Sequence, residues 1–231
     1  MVITQQRNVV TRTWGSSVGK KAVMAVTGIV MLLFIIAHML GNLKIFFGLE
    51  SFNAYSEHLR AIGAEIVGES GVLWILRVVL VASVVLHIAA ATSLARKAHR
   101  ARPVQYYNKG VREGSYAART MRWGGVIIAL FIVWHILDLT TGTVNPLGQT
   151  QDVYSKLIAS FDRWYVSIFY ILAVVVLGLH IAHGLWSSIQ TLGGNSAVRQ
   201  NSLKAMSFAV AGVTTVGFLV VPLSVMFGLV R

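Results

Sequence analysis

Apolar residues run along this chain in five long blocks, at about 22–47, 72–95, 120–139, 164–189 and 206–230, with polar and basic residues gathered between them. A helix that crosses the hydrocarbon core of a bilayer needs roughly 20 apolar residues. Four blocks meet that length, and the third meets it if it starts near Thr120. Strands are much shorter, and no block shows the alternation of an outer-membrane barrel. The pattern predicts an all-α integral membrane protein, a bundle of five spanning helices forming a single membrane domain over 1–231. Lys20 and Lys21 precede the first block as they would in a signal sequence. That block is longer than a signal core and has no small-x-small cleavage site, so it reads as a retained span. After it, Phe52, Tyr55, Leu59, Ile62 and Ile66 recur at three- and four-residue steps with Glu57, Arg60 and Glu65 between them. That spacing predicts an amphipathic helix over about 52–66, lying on the membrane surface.

Composition supports the membrane reading: 55% of residues are hydrophobic and 12% charged, about half the charged share of a soluble domain. With no cysteine, the chain can form no disulfide, ligate no iron–sulfur cluster through thiolates and attach no c-type haem. A net charge of +12 would suit a nucleic-acid partner if it were spread over a polar surface, but here it is localised, and no nucleic acid is expected. The N-terminal arm (Arg7, Arg12, Lys20, Lys21), the second loop (Arg96, Lys97, Arg100, Arg102, Lys109, Arg112, Arg119, Arg122) and the fourth loop (Arg199, Lys204) carry 14 of the 20 basic residues. The remaining loops and the helix ends that face them carry seven of the eight acidic ones: Glu50, Glu57, Glu65, Glu69, Asp138, Asp152 and Asp162. Lysine and arginine are retained on the cytoplasmic side, which places the N-terminus inside and the C-terminus outside. The basic second loop reads equally as a topology signal in contact with anionic lipid and as a docking surface for a cytoplasmic subunit.

Five of the seven histidines fall within the apolar blocks: His38, His87, His135, His180 and His183. Ionisable side chains inside a span are costly and mark function. At 1.5 Å per residue, counted from the basic ends, His87 lies about 14 Å deep and His180 about 15 Å. His135 and His38 lie at about 20 and 26 Å on the same scale. The chain thus offers two pairs of imidazoles at two heights, His87 with His180 and His38 with His135, each drawn from different helices. Two neutral imidazoles facing across a bundle suit a six-coordinate b-type haem. A proton relay or a zinc site remains the alternative. Small residues that would let a flat macrocycle approach include Gly41, Ala90, Ala91 and Gly184. His183, one turn from His180, is a candidate contact to a haem propionate or a quinone.

With histidines on each of its first four spans, the chain resembles the di-haem cytochrome b membrane anchor of succinate:quinone oxidoreductases, in the bacterial single-anchor form that includes fumarate reductase anchors. The stretches that carry the resemblance are Ser17-Val-Gly-Lys-Lys21, His38-Met-Leu-Gly-Asn42, Asn53-Ala-Tyr55, Ala118-Arg-Thr-Met121 and His180-Ile-Ala-His-Gly-Leu-Trp186. The resemblance implies an inner haem b on His87 and His180 and an outer haem b on His38 and His135, with the four histidines as axial iron ligands. It also implies a multi-pass subunit of the bacterial cytoplasmic membrane, partnered there by a flavoprotein that carries FAD and by an iron–sulfur subunit on the cytoplasmic face. Electrons from succinate would pass to a quinone, expected to be menaquinone, while succinate oxidation itself resides in the partners. Ser17 and Lys20 are candidate quinone contacts, and Glu65 and Glu69 candidate proton-exchanging groups at the outer face. Some menaquinol-oxidising relatives carry a glutamate two residues before the fourth-span ligand, where this chain has Gly178. The competing expectations are the cytochrome b anchor of a hydrogenase, formate dehydrogenase or nitrate reductase, and a haem-free transporter.

Overall fold

The computed structural model describes residues 14–101, 113–194 and 196–231. Arg7, Arg12, Arg102, Lys109 and Arg112 of the basic arm and loop lie outside the described residues. The described residues form helices and loops with no strand. Eight α-helices follow in chain order: α1 Ser17–Asn42, α2 Leu49–Ala61, α3 Ala64–Val67, α4 Gly71–Arg100, α5 Glu113–His135, α6 Val153–Phe161, α7 Trp164–Thr191 and α8 Gln200–Met226. Among the described residues, five segments are long and apolar enough to span a membrane: Ser17–Phe47, Gly71–Arg100, Met121–Thr140, Trp164–Thr191 and Gln200–Met226. Many of their residues are β-branched, which disfavours helix in water. In lipid, every backbone amide must be satisfied within the segment, and that requirement outweighs propensity. The outward faces are apolar and exposed, as Leu33, Val78, Leu130, Leu172 and Val213 show.

The helix α7 is the centre of the bundle. Val166, Ser167, Tyr170, Ala173, Val174, Gly178, Ile181 and Ala182 are buried along it at helical steps, and it packs against α1, α5 and α8. Small residues let those backbones approach, as helix association in lipid requires. Ser207, Ala211 and Thr214 of α8 are buried, and a Cβ on Gly178 would collide with the Thr215 side chain. By contrast, α4 leans mainly on α1 and buries only Ser83 and Ala90.

One end of the bundle is capped. The amphipathic stretch divides at Ile62 and Gly63, which takes φ +71°, so α2 ends at Ala61 and Ile66 is left 89% exposed. Phe52 turns inward to join Ile45, Tyr154, Leu157, Phe161, Tyr170 and Val221 in an apolar core. Asn53 fastens α2 to α6: its Nδ2 donates to Asp152 Oδ1 at 2.9 Å and its Oδ1 accepts from Tyr154 N at 3.1 Å. Tyr55 lies against Gly41, where a Cβ would sit 3.0 Å from the tyrosine oxygen. The Asn53-Ala-Tyr55 stretch is thus a fastening, and Gly41 serves Tyr55.

Asp152 also caps α6 by accepting from Ser155 N at 3.0 Å. Hydrogen bonds from Ser155 and Asn53 hold its carboxyl below its ordinary value of 3.8. A carboxylate held low stabilises the fold fully above the ordinary value, and that contribution is lost as the pH falls through the lowered one. Asp152→Asn keeps an acceptor oxygen but cannot titrate. Its thermal midpoint in detergent should lie below the parent's near neutral pH, and the two should converge as the pH falls below about 4.

Candidate haem-binding site

The structure brings the histidines together in two pairs. His87 of α4 faces His180 of α7, with ring centres 6.3 Å apart and planes inclined at 56°. His38 of α1 faces His135 at the end of α5, with ring centres 5.8 Å apart and planes at 88°. Two metal–imidazole bonds of about 2 Å, with about 1 Å from each nitrogen to its ring centre, separate rings on one metal by about 6 Å. Both pairs sit at that separation. In each pair, the two helices that supply the rings make no more than marginal contact with one another. The imidazoles therefore bridge a gap in the packing, and all four are partly buried.

The first pair is framed by glycines on the other two helices at its level. A Cβ on Gly28 of α1 would lie 3.4 Å from His87 Cε1, and one on Gly125 of α5 would lie 3.9 Å from His180 Cε1. Two histidines and two glycines from four helices thus surround one level. The sequence reading missed Gly28 and Gly125 because they are distant in sequence from the histidines they adjoin. Gly184, which it did select, has nothing within 4 Å.

Hydrogen bonding prepares these rings unequally. His87 Nδ1 lies 3.0 Å from the Met24 carbonyl oxygen and 3.3 Å from Thr27 Oγ1. A carbonyl only accepts, so the proton sits on Nδ1 and Nε2 keeps its lone pair, as a ligating imidazole needs. Nδ1 of His135 and of His180 is buried with no partner in the protein. No three His, Cys, Asp or Glu side chains converge among the described residues as a metal held by protein alone would need. Two imidazoles at each level, with small residues beside one pair, fit an iron whose remaining positions belong to a flat macrocycle.

The second pair is packed in aromatic rings. His38 stacks on Phe34 at 5.3 Å and 17°, and Phe218 of α8 lies 6.0 Å away. His135 meets Phe131 at 5.7 Å and Tyr170 at 5.9 Å. Beyond His135 the helix widens into a π turn over Ile136–Thr140, a feature concentrated at functional sites. On that turn Asp138 is fully buried. It pairs with Arg163 at 2.9 Å and accepts from Tyr170 Oη at 3.0 Å, Asn145 Nδ2 at 3.2 Å and Ser160 Oγ. Lys156 of α6 is 4% exposed beside this group; burial pushes its ammonium down, against the pull of Asp138.

His183, one turn along α7 from His180, has its ring 6.4 Å from Trp186, whose own face is covered by Lys204 at 4.9 Å. At the same end Lys97 Nζ donates to Ser17 Oγ at 2.8 Å and Lys20 Nζ donates to Ser93 Oγ at 2.7 Å, so these side chains tie α1 to α4. Glu65 and Glu69 are exposed.

A family model described as succinate dehydrogenase/fumarate reductase transmembrane subunit matches residues 95–221, more than half of the chain. The protein belongs to that family. The matched stretch contains His135, His180 and His183; His38 and His87 lie before it. No curated protein and no solved structure matches the chain. Membership in the transmembrane-subunit family makes this a multi-pass, cytochrome b-type component of a succinate dehydrogenase or fumarate reductase complex, associated with flavoprotein and iron–sulfur subunits.

Proposed function

We propose that this subunit binds two haem b groups, one between His87 and His180 and one between His38 and His135, and that it connects a succinate-oxidising flavoprotein and its iron–sulfur partner to menaquinone. The observation that carries the reading is the pair of imidazole bridges, each spanning a gap between helices that scarcely touch. Haem bound there would supply one-electron transfer between the iron–sulfur clusters of the partner and the quinone. The chain's own residues do the rest. Met24 fixes the tautomer of His87, Gly28 and Gly125 leave room beside the inner pair, and the aromatic packing around His38 and His135 keeps water from the outer pair. Electrostatics orient the assembly: the Lys- and Arg-rich end faces the cytoplasm, where the iron–sulfur subunit docks, and the Asn53–Asp152 cap faces out.

A reduced-minus-oxidised absorption spectrum of the purified complex, with a pyridine haemochrome assay, tests the reading. Two b-type haems per copy of this subunit are expected. A haem-free complex would leave a proton relay as the function of the histidines. His183, which faces Trp186 and neither imidazole partner, is expected to be dispensable for ligation: His183→Ala should keep both haems by haemochrome. Loss of a haem there, together with retention of both in His180→Ala, would exchange the roles of these two histidines.

A further inference from the structure

We infer that Tyr170, held by Asp138, is a positioning residue that sets the rotation of the His135 ring; the inference rests on the haem-binding reading of the outer pair. Nδ1 of His135 is buried without a hydrogen-bond partner, so no hydrogen bond from that atom fixes the orientation of its ring. A ligating histidine is ordinarily held by a bond from its second nitrogen. Here packing replaces that bond. Tyr170 meets His135 at 5.9 Å with planes at 62°, and Phe131 closes the other approach at 5.7 Å and 36°.

Tyr170 is itself fixed from several sides. Its ring stands nearly perpendicular to Phe131 at 5.0 Å and to Phe161 at 4.9 Å, and its hydroxyl donates to Asp138 Oδ2 at 3.0 Å. Asp138 is on the π turn that begins one residue after His135. The carboxylate and the imidazole are therefore carried by the same short stretch of backbone, and the tyrosine on α7 grips both. Arg163, Asn145 and Ser160 complete the ligation of the carboxylate, leaving it no freedom to follow a displaced tyrosine. The result is a rigid triangle of Asp138, Tyr170 and His135, which holds the imidazole planes of the outer pair at 88°. The inner pair has a different device, the Met24 carbonyl on His87, and a different angle, 56°.

The low-spin ferric EPR signal of a bis-imidazole haem depends on the angle between its two ligand planes, which makes rotation of His135 measurable without turnover. The experiment uses the purified complex carrying Tyr170→Phe, with Ser160→Ala as the control. Tyr170→Phe keeps the ring and removes only the grip on Asp138. Ser160→Ala removes a different donor to the same carboxylate and does not touch His135. Both variants are expected to retain two haems by haemochrome. Tyr170→Phe should displace the g value of the outer haem while the inner signal stays in place, and Ser160→Ala should leave both signals unmoved. An unmoved outer signal in Tyr170→Phe with haem content intact would overturn the inference, as would an equal displacement in Ser160→Ala, which would make the effect one of general loosening. Failure of the underlying reading is seen separately, as a parent complex without haem.

Discussion

Replacing either His87 or His180 with alanine is expected to reduce the haem content of the complex from two b-type haems to one, with the outer signal retained. The corresponding change at His38 or His135 should remove the other haem and spare the inner one. Each pair has ring centres about 6 Å apart, so one metal can join its members, but the two pairs are built on different combinations of helices: α4 with α7, and α1 with α5. A lost imidazole leaves its partner with one protein ligand where six-coordinate iron needs two. His183, one turn from His180, packs against Trp186 and is not expected to take the place of a lost ligand. Difference spectra of the four variants check this. Unchanged spectra in all four, or loss of a metal other than iron, would refute the assignment.

The second large effect is expected at a residue that touches neither ring pair directly. Asp138→Ala removes the acceptor of four donors at once and leaves Arg163, whose side chain is 19% exposed, without its counter-ion in a largely buried position. Breaking a buried ion pair from one side costs about 3–5 kcal/mol, mostly through the charge left behind. The variant should unfold earlier in a thermal or denaturant titration of the solubilised protein, or fail to accumulate in the membrane. Removing the stranded charge as well, in Asp138→Ala with Arg163→Met, should recover part of the loss. Equal stability in the single variant and the parent would show that solvent already satisfies the arginine.

These two expectations differ in how far the sequence foretold them. The five spanning helices were legible because lipid imposes one solution on a long apolar run, and the heights of the histidines followed from a fixed rise per residue. The facing of His38 with His135 and of His87 with His180 agrees with that arithmetic. What the sequence hid was lateral: which helix stands beside which. Gly28 and Gly125 adjoin histidines on other helices, so no local spacing could reveal them, whereas Gly41, chosen for closeness in sequence to His38, packs against Tyr55, and Gly184 has open space beside it. The polar group around Asp138 was hidden for the same reason, since its donors Asn145, Ser160, Arg163 and Tyr170 are spread across a loop and two helices. The surface helix was visible as an amphipathic pattern, but the inward turn of Phe52 depends on the presence of α6, which the five-block reading did not include.

The contact between Gly178 and Thr215 limits the routes by which this subunit could change. Relatives that carry a glutamate at the position of Gly178 have an acid two residues before the fourth-span histidine. In this chain even a Cβ at that position meets the threonine side chain on α8. A glutamate introduced alone would have to displace the Thr215 side chain or part α7 from α8. Shortening Thr215 first, to alanine or glycine, opens the space at modest cost, after which the acid can enter. The two substitutions are therefore ordered, permissive change before functional change. Grafting an acid into this subunit in the laboratory should succeed only along that same path.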